Sequence, residues 1–77
     1  MEREKKSSEE LHQILQLHLD ELGVEYGEPI IALGVYYHLP DISGCNWNTK
    51  GFLGSRRHAP RVTAIVSELR ALYSLSD

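Results

Sequence analysis

The sequence predicts a small α+β domain of α-β-β-α order, two amphipathic helices packed on a short antiparallel hairpin. Three observations predict it. Apolar residues recur at helical spacing near the N-terminus, at Leu11, Ile14, Leu15 and Leu22. They recur again near the C-terminus, at Val62, Ile65, Val66 and Leu69. Between these stripes, residues 30–39 are rich in β-branched and aromatic side chains, which favour strands. The 77 residues make a single domain spanning 1–77.

Each element has its own signal. Residues 1–6 alternate in charge and are expected to be a frayed or helical start. Ser7-Ser8-Glu9-Glu10 reads as a capping box, in which Ser7 and Glu10 satisfy each other's backbone N–H. The face Leu11, Ile14, Leu15, His18, Leu22 then predicts a helix over 8–22, with Gly23 just past its end. His18 sits at the centre of that stripe and reads as a packed core or interface histidine. Gly27 and Pro29 mark a connection. Residues 30–39 show no clean alternation and are expected to be a strand buried on both faces. A buried helix starting at Pro29 is the competing reading.

Residues 40–44 (Pro40-Asp41-Ile42-Ser43-Gly44) are turn chemistry. Asn46-Trp47-Asn48-Thr49 begins a second strand, so 30–39 and 45–53 pair as a hairpin. Gly51, Gly54 and Ser55 break the chain again. Pro60 suits a first helical turn, and Val62, Ile65, Val66, Leu69 and Tyr73 predict a helix over 60–74. A two-stranded sheet is marginal alone. Its second face would carry several of Ile31, Leu33, Val35 and Tyr37, so a homodimer that joins or stacks hairpins is expected.

Charge is unevenly spread. Residues 1–41 hold nine acids against three bases, while 42–67 hold Lys50, Arg56, Arg57 and Arg61 and no acid. The only Trp, Phe and Cys lie in that basic stretch. The 42% hydrophobic content argues against disorder, and the net charge of −3 excludes neither nucleic acid nor protein partners. No apolar run approaches the roughly 20 residues of a membrane span, and no apolar h-region follows Met1 to Lys6. A cytoplasmic protein with no membrane partner is the simplest expectation. The single Cys45 forms no internal disulfide.

Several constellations carry chemical meaning. Ser55-Arg56-Arg57-His58 precedes the helix start at Pro60, where free N–H groups and positive potential suit phosphate or carboxylate. Trp47 or Phe52 beside it would stack on a base. The plainer reading is a basic loop that balances the acidic half. His38, Asp41, Cys45 and His58 are zinc-type residues without zinc-type spacing, so no metal and no cofactor is expected. A Cys45–His38–Asp41 hydrolase lacks an oxyanion site and a pocket. The Asn46-Trp47-Asn48 segment reads as a lid on the core or as a binding anchor, since Trp, Tyr and Arg dominate hot spots.

Residues 40–48 (Pro40-Asp41-Ile42-Ser43-Gly44-Cys45-Asn46-Trp47-Asn48), followed by a terminal helix ending Leu72-Tyr73-Ser74-Leu75, resemble small uncharacterised proteins encoded by phages and prophages. The shared features are a Gly-Cys-Asn-Trp core after a strand and an Arg/Tyr-Leu ending, within the C-terminal half. The resemblance implies a class, the short accessory proteins of mobile elements, some of which bind host or phage machinery.

The expected function is therefore a non-enzymatic interaction or regulatory protein. An anti-defence or inhibitor role against a protein partner is the form that the resemblance implies. The expected contact surface is Tyr36, Tyr37, Trp47, Asn48, Lys50, Arg56, Arg57, His58 and Arg61. The alternatives are nucleic-acid binding through residues 50–61 and a small metal- or Cys-dependent enzyme.

Overall fold

In the computed structural model, which describes residues 3–76, the chain opens on a three-residue strand, β1 (Glu4–Lys6). Helix α1 (Ser8–Tyr26) follows, and its capping box forms as expected. Ser7 Oγ accepts from the Glu10 N–H at 3.1 Å, and the Glu10 carboxylate accepts from the Ser7 N–H at 3.0 Å. The helix runs four residues beyond the expected end. Gly23 stays inside it, and Gly27, at φ 69°, is the left-handed residue that closes it. The Glu28 N–H returns to the Gly23 carbonyl and the Gly27 N–H to Val24, a Schellman closure. Gly23 is needed there for space: a Cβ on it would stand 2.6 Å from the Glu28 carbonyl oxygen.

The buried face of α1 is Leu11, Leu15, Leu19 and Leu22. The stripe expected through His18 is therefore shifted by one residue. Leu19 is at its centre and His18 faces solvent. Spacings of four, four and three hold these leucines on one side, and a histidine one residue away falls about 100° off that side.

The hairpin comprises β2 (Ile31–Ala32), β3 (Val35–Tyr37), β4 (Trp47–Thr49) and β5 (Phe52–Leu53). β2 pairs with β5 and β3 with β4, both antiparallel. Ile31 lies opposite Leu53, Ala32 opposite Phe52, Val35 opposite Thr49 and Tyr37 opposite Trp47, so no residue is skipped between the two pairs. The inward side nevertheless changes. Ile30 and Ala32 are buried, then Val35, which is of the opposite parity. Gly34 (φ 117°) and Gly51 (φ 107°) make the change, because residues with side chains rarely adopt this backbone. The missing period of two thus has a cause. The ribbon is not buried on both faces; it turns over once along its length, leaving Ile31, Leu33 and Tyr37 about half exposed.

After a 3-10 turn (Arg56–His58), α2 (Ala59–Leu72) carries Pro60 in its first turn and buries Val62, Val66 and Leu69. It stops two residues earlier than expected. Tyr73 leaves at φ −128°, ψ 149° to start β6 (Tyr73–Leu75), which pairs in parallel with β1. Both ends of the α-β-β-α expectation are corrected by this pair. Residues 4–6 are a strand rather than a frayed or helical start; residues 1–2 lie outside the described residues. The chain is a small α+β domain with two helices and short antiparallel strand pairs, to which β1 and β6 add a parallel pair. No helix among the described residues is long and apolar enough to cross a membrane.

Two amide side chains close strand edges that have no neighbouring strand. Gln16 donates to the Ile30 carbonyl at 2.9 Å and accepts from the Ala32 N–H at 2.8 Å, while His12 Nε2 lies 3.1 Å from the Ala32 carbonyl. Asn46 donates to the Leu75 carbonyl and accepts from the Leu75 N–H, both at 2.8 Å. Each amide supplies the donor and acceptor that an adjacent strand would supply.

Candidate interaction surface

The basic segment is held by acids from the end of α1. Arg57 pairs with Glu28 Oε1 at 2.7 Å, and its guanidinium lies 5.9 Å from the centre of the Tyr26 ring. Arg61 pairs with Glu25 at 3.3 Å. His58 is fully buried, 2.8 Å from Glu28 Oε2 through Nε2 and against the Tyr26 ring at 4.6 Å. Its Nδ1 has no hydrogen-bond partner among the described residues. Glu28 is pushed below the ordinary carboxylate range, first by the His58 hydrogen bond and then by Arg57. The loop thus serves to join the C-terminal end of α1 to the start of α2. His58 is corrected from a contact residue to a core residue. Arg57 and Arg61 are exposed but already partnered, whereas Lys50 and Arg56 are exposed with no ion pair among the described residues.

Trp47 is corrected in the same way. It has no exposed surface, and its indole N–H donates to the Tyr73 carbonyl at 2.9 Å. A surface anchor has to present its ring to a partner; this ring fills the core between the hairpin and the helices. Asn48 is half-buried, and its side-chain oxygen accepts from the Thr49 N–H. The Asn46-Trp47 pair is accounted for by its hold on β6. Of the expected set, Tyr36 and Tyr37 are exposed at 43% and 55%, and Tyr36 lies across from Asn48. The structure therefore separates the set into Tyr36, Tyr37, Asn48 and Lys50 on the ribbon, Arg56, Arg57 and Arg61 at the start of α2, and the core residues Trp47 and His58.

The zinc-type residues do not converge. The Cys45 thiol is buried and donates to the Trp47 carbonyl at 3.3 Å. His38 Nδ1 lies 2.7 Å from the Leu39 carbonyl, and His58 belongs to the Glu28 pair. Among the described residues no three His, Cys, Asp or Glu side chains are placed to hold a metal ion. Asp41 organises the hairpin tip. Its carboxylate accepts from the Ser43 hydroxyl and the Ser43 and Cys45 N–H groups, and it pairs with Arg70 at 2.7 Å. Arg70 also donates to the Trp47 carbonyl at 2.8 Å, and Arg3 bridges the Arg70 and Ser43 carbonyls.

These bonds, the Ser43 hydroxyl foremost, hold the Asp41 carboxyl down at about 2 from its ordinary 3.8. A depressed carboxylate stabilises the fold above its ordinary value, and that stabilisation disappears as pH falls through the folded value. Urea midpoints for the native chain should accordingly fall between about pH 4 and pH 2. Asp41→Asn should start lower at neutral pH and show a flatter slope across that window. Equal slopes for the two proteins would refute this role for Asp41.

Several apolar side chains face water, and the sequence had singled out only some of them. Ile31 and Leu53, cross-strand partners, are 47% and 58% exposed, and Val24 on α1 is 85% exposed. Val24 and Ile31 line one shallow groove with Gly27 and Pro29. Val24 falls outside the buried stripe of α1, which is the signal that marks it. Leu53 carries no such signal, because its side of the ribbon depends on the turn-over at Gly34 and Gly51. No protein-family model, no curated protein and no solved structure matches the chain.

Proposed function

We propose that this chain is a small non-enzymatic interaction protein that acts by binding a protein partner. The α-β-β-α body would be the working unit, as a homodimer. The observation that carries the reading is the apolar surface of Val24, Ile31 and Leu53, left in water with the acids Asp20 and Glu28 at its rim. Contiguous apolar surface of this kind marks interaction sites on small proteins. The titratable residues that would serve an enzyme are engaged instead in structural pairs: Glu28 with His58, and Asp41 with Arg70. The accessory role of mobile-element proteins, inhibition by occupying a partner's surface, fits such a scaffold and is part of the proposal.

The nucleic-acid reading is weaker because two of its four bases, Arg57 and Arg61, are committed to acids. Immobilised native chain should capture a partner protein from host extract. Ile31→Glu with Leu53→Glu should abolish that capture at an unchanged melting temperature. Capture that survives this variant, yields to raised salt and is lost on Lys50→Glu with Arg56→Glu would turn the assignment to nucleic acid.

A further inference from the structure

Helix α1 carries a charge pattern that the fold itself leaves uncompensated. Its formally charged residues are Glu9, Glu10, Asp20, Glu21 and Glu25, with no lysine or arginine among them. Glu9 and Glu10 stand in the first turn, where the helix dipole favours acids. Asp20, Glu21 and Glu25 stand toward the other end, which is the negative end of the dipole and has no base in its last turn. Arg61 offsets Glu25. Asp20 accepts from the Gln16 amide at 2.8 Å, a neutral donor. Neither Asp20 nor Glu21 has an ion pair among the described residues.

The same stretch of helix turns apolar side chains to water. Leu17 and Val24 are 63% and 85% exposed. Spacings of three, one and three place Leu17, Asp20, Glu21 and Val24 on one exposed strip, with the two acids between the two aliphatic ends. Val24 is also one wall of the groove whose opposite wall is Ile31 and whose floor is the buried pair Gly23 and Ile30. Asp20 lines that groove too, and the charge of Glu28 there is already offset by Arg57. At Gly27 a Cβ would meet no atom within 4 Å, so the groove runs open past the helix end. Its volume of about 390 Å³ has room for branched aliphatic side chains. A free small molecule in so shallow a groove would keep much of its surface in water, whereas binding pockets enclose most of a ligand. A side chain carried on a larger partner is covered by the partner's own surface.

We infer that the groove docks a cationic amphipathic segment of the partner protein, with an aliphatic side chain seated between Val24 and Ile31 and a lysine or arginine beside Asp20 and Glu21. The inference names the chemistry of the partner in the proposed function and rests on that reading. Apolar grooves take amphipathic segments by their apolar face. A cation on the flank of such a segment meets two unpaired carboxylates and the negative end of the α1 dipole together. The same groups repel an acidic segment.

A peptide of leucine and lysine at helical spacing, about four turns long, is the probe, and a leucine–glutamate peptide of the same pattern is its control. Fluorescence anisotropy should give the leucine–lysine peptide a Kd below about 1 mM and at least roughly tenfold below that of the control. Amide shifts in isotope-labelled protein should concentrate at Val24, Gly27 and Ile31. Val24→Ser with Ile31→Ser should raise the Kd at least roughly fivefold. Asp20→Asn with Glu21→Gln should raise it at least roughly threefold and flatten its salt dependence. All four positions are exposed, so circular dichroism spectra should stay unchanged. Glu9→Gln, in the first turn, should leave the Kd as it is. No binding below about 1 mM, equal binding of the two peptides, or binding that survives either pair of substitutions overturns the inference. So does a loss as large on Glu9→Gln, which would mark attraction to net charge alone. Protein capture from host extract that needs Ile31 and Leu53 but is indifferent to Asp20→Asn with Glu21→Gln would defeat this inference and spare the partner-binding reading. Peptide binding with all these dependences, beside a native chain that captures no protein, would do the reverse.

Discussion

Trp47→Ala is expected to leave the chain largely unfolded at 25 °C. Trp47 is fully buried, and removing so large a side chain from a core costs about 3–5 kcal/mol. A single core in a chain of this size supplies only about 3–5 kcal/mol in total. The substitution also strips the Tyr73 carbonyl of its indole donor, which loosens β6 and with it β1. Far-UV circular dichroism and a urea titration measure the effect. Trp47→Phe separates the two causes. It keeps most of the apolar volume and loses the hydrogen bond, for an expected cost of roughly 1–3 kcal/mol. A Trp47→Ala protein that melts near the native temperature would place this ring outside the core.

Gly23→Ala is the second large effect, and its sign is the informative part. In a solvent-facing helix this change gains about 1 kcal/mol through helix propensity. Here the new methyl would stand 2.6 Å from the Glu28 carbonyl oxygen, a backbone atom with no flexible side chain to move aside. Overpacking of that kind costs about 1–3 kcal/mol. The shift would also carry Glu28 away from His58 and Arg57. A net destabilisation of about 1–2 kcal/mol is expected, read as a lower urea midpoint at constant slope. A raised midpoint would show that the helix end yields easily.

What the sequence made legible was local. The Ser7–Glu10 capping box, Pro60 in the first turn of α2 and the leucine spacing of α1 depend on residues within a few positions of one another, so they could be read directly. Gly23 was the expected closing residue, and Gly27 was expected only within the connection that follows. The choice fell to Gly27 because the Glu28 carbonyl approaches Gly23 after the chain has turned. β1 and β6 were invisible because neither has a pattern of its own; a tryptophan and an asparagine some 26 and 29 residues away hold β6 in place. The same long reach explains the misreading of the candidate surface. Trp47 between two asparagines resembles an exposed anchor until Asn46 is seen bonding Leu75. The ion pairs of Arg57 with Glu28 and of Arg61 with Glu25 join charges 29 and 36 positions apart, and no spacing rule signals them. Tyr36 and Tyr37, expected as contact residues, are 43% and 55% exposed.

The parallel pairing of β1 with β6 bears on how the protein is made. A ribosome releases the chain from its N-terminus, so Glu4 to Lys6 emerge early and wait for Tyr73 to Leu75. Until Tyr73 to Leu75 clear the exit tunnel, the Trp47 indole lacks its acceptor and the Asn46 amide lacks both of its partners. The helices and the hairpin precede that point in the chain, whereas the layer that locks the tryptophan between them waits for it. This core is therefore completed only after Tyr73 to Leu75 have been released.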